Sequence, residues 1–96
     1  MKKLDDATIE AKLLQFPDWD YFDGAIHTEF EFENFKDCFS AMNRIAFECE
    51  AINHHPDWSN VYNVLKISLS THDAGGVTDN DFKLAEAIAY IVEPEE

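Results

Sequence analysis

The sequence predicts an α+β domain of two layers, in which helices pack on one face of an antiparallel sheet. Segments with alternating apolar and polar residues, typical of half-buried strands, are separated by segments whose apolar residues recur every three or four positions. The resulting order is α-β-β-α-β-(β)-α. Each strand and each helix then has one apolar side to bury, which favours helices on one side of a sheet. The 96 residues suffice for one core, so we expect a single domain over residues 1–96.

The first third of the chain predicts a helix followed by a β-hairpin. Asp5 or Asp6 caps a helix over about residues 6–15. Asp23-Gly24 then supplies the pair of positive-φ residues that a two-residue hairpin turn requires. The second strand of this hairpin alternates cleanly, with Ile26, Thr28, Phe30 and Phe32 on one side and His27, Glu29 and Glu31 on the other.

A long second helix is predicted from Asn34, its N-cap, to about Asn53. The helix has to end there because Pro56 disfavours the α conformation of the residue before it. Its expected buried stripe consists of apolar residues at steps of three and four: Phe35, Phe39, Met42, Ala46, Cys49 and Ile52.

The last third predicts one or two strands and a third helix. Residues 61–72 have period two, and residues 60–71 are long for one strand, so we expect a bend or bulge near Asn63 that divides the stretch into two pieces. The inward residues of this stretch are expected to be Val61, Leu65, Ile67 and Leu69. After Gly75-Gly76, Thr78 caps the third helix and Asp81 takes the capping-box position. The inward residues of this helix are expected to be Phe82, Ala85, Ile88, Ala89 and Val92.

The chain is strongly acidic, with 20 acidic against 7 basic residues and a formal net charge of −13. Binding to nucleic acids or anionic membranes requires a basic surface. We therefore expect this protein to bind neither without a partner. The acidic residues 93–96 are expected to form a frayed tail. No apolar run approaches 18 residues, and the N-terminal residues lack the apolar stretch of a secretion signal. We therefore expect a soluble, cytoplasmic protein.

The two cysteines, Cys38 and Cys49, fall in the predicted second helix. Eleven positions at 1.5 Å rise separate them by about 16 Å, which is beyond disulfide reach. Both are therefore expected to be buried free thiols.

The densest group of titratable side chains follows the second helix. It contains three of the four histidines together with nearby carboxylates and a tryptophan: His54, His55, His72, Glu50, Asp57, Asp79, Asp81 and Trp58. Imidazole has an unperturbed pKa of about 6.5, so a histidine cluster suits a reaction that both donates and accepts a proton. His54 and His55 also follow a helix C-terminus, which favours an imidazolium and makes either a candidate acid.

Other interpretations of this cluster stay open at this point. The His-His-Pro segment can be only a helix stop with solvated rings. Three imidazoles and a carboxylate also suit zinc or iron, although adjacent histidines do not readily point at one ion. A serine or cysteine nucleophile has less support, since the chain has no Gly-x-Ser-x-Gly motif, and no glycine-rich phosphate loop is present.

A fixed chain of spacings connects the candidate residues. Glu50 is followed after three residues by His54-His55-Pro56, and Tyr62 lies six positions beyond the proline. Nine residues then separate Tyr62 from His72, and eight separate His72 from Asp81. This pattern resembles the signature of the pterin-4a-carbinolamine dehydratases, and the length and the phenylalanine-rich second strand extend the resemblance over the whole chain. It implies three helices on one face of a four-stranded antiparallel sheet.

The resemblance implies a hydro-lyase that removes water from a 4a-hydroxytetrahydropterin, the product of aromatic amino-acid hydroxylases, and leaves the quinonoid dihydropterin. Such an enzyme supports recycling of the pterin, and the resemblance implies neither a cofactor nor a metal. His54, His55 and His72 are the implied catalytic residues. We expect His54 to be the principal acid.

Glu50, Trp58 and Asp81 are the expected substrate-binding residues. In the binding roles, the two carboxylates orient imidazoles or accept hydrogen bonds from the pterin, and Trp58 and Tyr62 flank the pterin ring. In the structural alternatives, Glu50 is solvated, Asp81 only caps a helix, and the two aromatic residues cover the core. His27 is expected to be inert. Two departures from the family pattern, Asn53 for an acidic residue and Ala74 for a cysteine, imply altered site electrostatics and no essential thiol.

A second function class comes from the same resemblance. Some members of the family are similar to dimerisation cofactors of a homeodomain transcription factor, so the alternative is a non-catalytic dimerisation or coactivator module. We also expect a homodimer or homotetramer, since free sheet edges and helix faces make such assembly physically reasonable.

Overall fold

The computed structural model describes residues 1–92, so the expected frayed tail at residues 93–96 lies outside the described residues. Its elements, in chain order, are α1 (Asp6–Leu13), β1 (Asp20–Phe22), β2 (Ala25–Glu31), α2 (Phe35–Ile52), β3 (Asp57–Val61), β4 (Val64–Leu69), a short 3₁₀ helix (His72–Ala74) and α3 (Asp79–Val92). The predicted α+β class, with three helices and a four-stranded antiparallel sheet, is confirmed.

The sheet has the strand order β1-β2-β4-β3, and every neighbouring pair is antiparallel. Its inward face is a continuous apolar surface because inward residues pair with one another across the strands: Ile26 with Leu69, Thr28 with Ile67, and Phe30 with Leu65. The helices cover this face: α2 contacts β4 and α3, and α1 contacts β1. The opposite face carries mostly polar residues, including His27, Glu29, Lys66 and Ser68.

Helix α2 buries a different stripe from the predicted one. The buried residues are Cys38, Ala41, Ile45 and Cys49, of which only Cys49 belongs to the predicted stripe. Phe35 and Phe39 are instead about half exposed and stack on each other, with ring centroids 5.7 Å apart. Two apolar stripes adjoin on this helix, and the one with the smaller side chains faces inward, because small residues allow a helix to approach its neighbours closely.

The stretch after α2 is divided into two pieces near Asn63, as predicted, but it begins earlier than predicted and is divided by a turn rather than by a bend or bulge. A two-residue turn at Tyr62-Asn63 divides it into two antiparallel strands, and the first strand begins at Asp57 rather than near position 60. Val61 was predicted to face inward, but it is 78% exposed. The reason is that the turn pairs Val61 with Val64, an outward position of β4.

The ends of the helices agree with the sequence more closely. Asp5 is the N-cap of α1 and accepts from the backbone N–H of Thr8, and hydrogen bonds from Thr8 hold the pKa of Asp5 below its ordinary value. Asn34 caps α2 by accepting from the N–H of Asp37. Helix α1 ends two residues earlier than predicted, at Leu13. Beyond it, the backbone N–H groups donate to carbonyls three residues earlier, as in a 3₁₀ helix.

Both cysteines are free and buried, as predicted. Burial raises the pKa of the Cys38 thiol and the Cys49 thiol, which makes both less reactive. Among residues 1–92, no helix combines the length and the apolar character that crossing a membrane requires.

Asn60 holds the turn between β3 and β4. Its side-chain amide donates to the carbonyl oxygens of Tyr62 and Val64 at 3.0 and 2.9 Å, and it lies 3.3 Å from Sγ of Cys38. Tyr62 has a φ of 51°, which is uncommon for an aromatic residue. The amide therefore stabilises a turn whose backbone conformation the local sequence does not favour.

We expect Asn60→Ala to lower the free energy of unfolding by about 1–3 kcal/mol, because carbonyl groups lose a partly buried donor. Urea unfolding followed by circular dichroism measures the change. Asn43→Ala, on the exposed side of α2, is the control and should stay within about 0.5 kcal/mol of wild type. Equal midpoints for the two variants would show that Asn60 does not hold the turn.

Candidate active site

The end of α2 places the two adjacent histidines. Asn53 adopts the left-handed conformation, with φ 51° and ψ 47°, and its N–H donates to the carbonyl of Glu50. The N–H of His54 donates to the carbonyl of Cys49 at 3.0 Å. These two bonds form a Schellman motif, for which asparagine is one of the few suitable residues other than glycine. The motif stops the helix and sets the direction in which His54 leaves it.

The beginning of α3 places a buried carboxylate. Thr78 accepts from the N–H of Asn80, and Asp81 Oδ2 accepts from the N–H of Thr78 at 2.8 Å. The Asp81 half is that of a capping box, as the sequence predicts, whereas the Thr78 hydroxyl caps the second helical residue, Asn80, instead of the third. Asp81 is fully buried, with 0% of its surface exposed. Its position at the N-terminal end of a helix favours its negative charge.

The two helix ends meet through His54 and Asp81. His54 is also buried, at 9% exposure, and its Nε2 donates to Asp81 Oδ1 at 2.5 Å. The other carboxylate oxygen, Oδ2, accepts from Thr71 Oγ1 at 2.9 Å as well as from the N–H of Thr78. Asp81 therefore both caps α3 and binds His54. The sequence offered a helix cap and a contact with an imidazole as alternatives, and Asp81 makes both contacts.

The free nitrogen of His54 is Nδ1. It forms no hydrogen bond within residues 1–92, where no side-chain nitrogen or oxygen is both buried and unpaired. Nδ1 therefore keeps some surface that solvent can reach. With Nε2 held by a carboxylate, Nδ1 is able to accept a proton when the ring is neutral and to donate one when it is charged.

His55 points away from this buried pair. Its Nε2 contacts Glu50 Oε2 at 2.6 Å, and both side chains are largely exposed. Glu50 lies on the last turns of α2, five positions before His55, so the pair closes over the end of the helix. The second oxygen of the Glu50 carboxylate is available to another donor.

His72 begins the short 3₁₀ helix between β4 and α3, and its side chain is exposed. The turn that carries it is closed at its base, where the N–H of Thr71 donates to the carbonyl of Gly76 at 2.8 Å. A Cβ on Gly76 would lie 2.6 Å from Cδ of the exposed Lys3 side chain, which would have to move. The N-terminal segment is fixed there by the N–H of Leu4, which donates to the carbonyl of Val77.

The structure brings some of the predicted residues together and separates others. His72 is adjacent in sequence to Thr71, which binds Asp81, so the chain segments of His54 and His72 meet at that carboxylate. Trp58 is the second residue of β3, two positions after Pro56, and packs against the core, half-buried. Tyr62 directly follows the other end of the same strand. At 3.3 Å per residue it lies about 13 Å from Trp58, so the fold of a single chain does not bring Tyr62 to this site.

Two residues of the predicted group, and the histidine outside that group, lie away from the site. Asp57 pairs with Ser68 on the outward side of the sheet, and exposed Asp79 faces Lys12 at 3.7 Å. His27 is held on the outward face, where Nδ1 contacts Ser68 Oγ, Nε2 donates to the carbonyl of Phe22, and the ring stacks on Phe22. Both nitrogens of His27 are engaged, in keeping with the inert role expected for it.

Sequence reasoning missed one polar contributor, Thr71. Its hydroxyl reaches both Asp81 and Thr78, although no spacing rule marks it. Within residues 1–92, no three or more histidine, cysteine, aspartate or glutamate side chains are grouped in a way that could hold a metal ion.

Comparison with known proteins identifies the family. The sequence model of the family described as Pterin 4 alpha carbinolamine dehydratase matches residues 2–91. The chain belongs to this family. The resemblance inferred from the motif is therefore confirmed.

Individual relatives of the dehydratase family cover nearly the whole chain. A protein of Christiangramia forsetii named "Putative pterin-4-alpha-carbinolamine dehydratase" is 60% identical over 93 residues, which are 97% of this chain and 96% of the relative. A protein of Prochlorococcus marinus with the same name is 51% identical over 76 residues, which are 79% and 80% of the two chains. A crystal structure described as a transcriptional coactivator/pterin dehydratase from Brucella melitensis superposes with a TM-score of 0.92 at 32% identity, covering 95% of this chain and 99% of the other.

The two carboxylates of the site should differ in their effect on stability. We expect Asp81→Asn to lower the free energy of unfolding by about 2–4 kcal/mol, because an amide places a donor against the donors that now bind the buried carboxylate. Glu50→Gln, which changes an exposed pair, should cost less than about 0.5 kcal/mol. Urea unfolding of both variants gives the comparison, and similar losses would contradict the buried position of Asp81.

Proposed function

We propose that this protein is a hydro-lyase that eliminates water from a 4a-hydroxytetrahydropterin, with histidines as general acid and base. The observation that carries the proposal is the His54–Asp81 pair, in which a buried carboxylate holds Nε2 and leaves Nδ1 toward solvent. Membership of the pterin-4a-carbinolamine dehydratase family supplies the substrate class. The metal-dependent alternative lacks this kind of support, because no grouped set of ligands favours it within residues 1–92.

The proposed reaction moves two protons and breaks one bond. His54, as imidazolium, protonates the 4a-hydroxyl from Nδ1, and the C4a–O bond breaks as water leaves. The proton on N5 passes to a second imidazole, and its bonding pair forms the C4a–N5 double bond of the quinonoid dihydropterin. The Asp81 carboxylate stabilises the imidazolium form of His54, as buried carboxylates do for catalytic histidines. We assign the N5 proton and the hydroxyl region to His55 and His72.

The substrate-binding roles follow from exposure. Glu50 is proposed to keep His55 oriented and to accept a hydrogen bond from the pterin through its free oxygen. Trp58 is proposed to form an aromatic wall beside the ring, since it is only half-buried and lies two positions after Pro56. Asp81 was expected to touch the substrate or to orient an imidazole. Its complete burial favours the second role, in which it acts through His54.

Dehydration of the 4a-hydroxy adduct tests the proposal. A hydroxylase generates the adduct, and ultraviolet absorbance follows formation of the quinonoid dihydropterin with and without this protein. Because the adduct also dehydrates spontaneously, the readout is the rate. We expect acceleration by the wild-type protein, and a reduction by about one to two orders of magnitude in His54→Ala and in His72→Ala, the scale of one general acid or base.

His27→Gln is the matched control for that assay, because it changes a histidine on the opposite face of the sheet. It should leave the rate within about twofold of wild type, as expected for a residue outside the reacting groups. Folded His54→Ala and His72→Ala proteins with wild-type rates would remove those residues from the mechanism, and no acceleration by wild type would refute the hydro-lyase proposal.

A second candidate function is a non-catalytic interaction module of the coactivator type. It is supported by the description of the Brucella melitensis relative as a transcriptional coactivator/pterin dehydratase. A purely interacting protein has no need for a histidine that is fixed on a buried carboxylate, so we place catalysis first. The dehydration assay separates the two, because an interaction module without activity would not accelerate the reaction.

We further propose self-association into a homodimer or homotetramer in the cytoplasm. Two exposed aromatic residues, Phe47 and Tyr90, line a groove of about 650 Å³ between α2 and α3, and β1 and β3 are the outer strands of the sheet. Two free cysteines suit a reducing compartment.

Sedimentation equilibrium over a range of concentrations tests the assembly. The monomer mass is 11.0 kDa, and we expect a fitted mass of two or four times that value. Free edges and exposed aromatic residues provide the physical reason, because an assembly would cover them. A single species of monomer mass at every concentration would contradict the proposal.

A further inference from the structure

Two threonine hydroxyls stand behind the His54–Asp81 pair. Thr71 Oγ1 donates to Asp81 Oδ2 at 2.9 Å and lies 2.6 Å from Thr78 Oγ1. Thr78 Oγ1 in turn accepts from the N–H of Asn80 at 3.2 Å. A continuous chain of hydrogen bonds therefore runs from the start of α3 through both hydroxyls and the carboxylate to the imidazole.

Counting protons fixes the direction of this chain. A threonine hydroxyl has a single proton, and the proton of Thr71 is used on the Asp81 carboxylate, which can only accept. Thr71 Oγ1 must then accept in its contact with Thr78, so Thr78 is the donor there. Both hydroxyl protons thus point toward Asp81, and each bond polarises the next.

The chain has a geometric consequence for the carboxylate. With Oδ2 held by Thr71 Oγ1 and by the N–H of Thr78, the carboxyl group cannot rotate about its axis without losing both bonds. Oδ1 is then fixed toward Nε2 of His54. The orientation of the catalytic imidazole is set by groups that do not touch it.

We propose that Thr71 and Thr78 are positioning residues for His54, and that Thr71 couples the turn carrying His72 to the imidazole of His54. A capping box needs only Thr78 and Asp81. The Thr71 hydroxyl belongs to another segment, lies outside α3 and is not required to start that helix. The kinetic part of this proposal rests on the proposed hydro-lyase function, whereas its structural part does not.

The test compares two substitutions at one position. Thr71→Val keeps the shape of the side chain and removes the hydroxyl, whereas Thr71→Ser keeps the hydroxyl. Thr71→Ala is a second variant without the hydroxyl, in case valine prevents folding. Thr71 is the cleaner site to change, because Thr78 also caps α3.

The first readout is the Nε2 proton of His54 in ¹⁵N-histidine-labelled protein, assigned among the four histidines with a His54→Gln variant. Loss of one hydrogen bond to a charged group should speed exchange of this proton with water by about tenfold in Thr71→Val or Thr71→Ala. Thr71→Ser should restore slow exchange. Wild-type exchange in the folded variants without the hydroxyl would overturn the proposal.

The second readout is the dehydration rate, which should fall about tenfold without the hydroxyl and recover in Thr71→Ser. Failure of the positioning proposal and failure of the hydro-lyase proposal give different results. Faster exchange in Thr71→Val, with no acceleration by wild type, would support positioning and refute the hydro-lyase function. Acceleration by wild type that Thr71→Val retains in full would refute the kinetic role of Thr71, because a positioning residue has to affect the rate.

Discussion

The buried Asp81 carboxylate is the interaction on which the site depends. It lies where the end of α2, the turn after β4 and the start of α3 converge, and each of these segments donates to it. An unpaired carboxylate at this depth would be strongly destabilising, so the three segments have to come together for the fold to be stable. Satisfying the buried charge therefore also brings together the segments that carry His54 and His72.

The two neighbouring imidazoles differ in their surroundings although they are adjacent in sequence. His54 is buried and fixed by a carboxylate with no exposed surface, whereas His55 contacts a largely exposed glutamate. The first pair suits a proton donor that must keep one orientation. The second pair suits an imidazole that adjusts its position to a ligand and is solvated when no ligand is bound.

The sequence predicts the fold class and the helix ends well, because those depend on local patterns such as the Asn34 cap and the Thr78–Asp81 capping box. It fails where two local solutions compete. On α2, two adjoining apolar stripes have the same period, and only packing against the sheet and α3 selects Cys38 and Ala41 over Phe35 and Phe39. The β3–β4 turn contains no glycine that would mark it in the sequence. Its support comes from the Asn60 side chain, which lies outside the turn.

For the site, the spacing of motif residues identifies which side chains matter but not which of them touch. The contact between His54 and Asp81 joins residues 27 positions apart, and the contribution of Thr71 depends on a hydroxyl direction that spacing does not encode. The separation of Tyr62 from the other motif residues has the same origin. Nothing in the interval between Pro56 and Tyr62 reveals that an extended strand fills it.

The left-handed conformation of Asn53 constrains the length of the chain as well as its chemistry. Because the helix ends at this residue, the next two side chains emerge in opposite directions, one inward and one outward. Insertion of one residue between Asn53 and His54 would place His54 where His55 now lies, away from the buried anion, and deletion of one residue before the proline would remove one of the two imidazoles. The number of residues in that short connection is therefore as restricted as their identity, and variation among homologues should appear there as substitution rather than as a change in length.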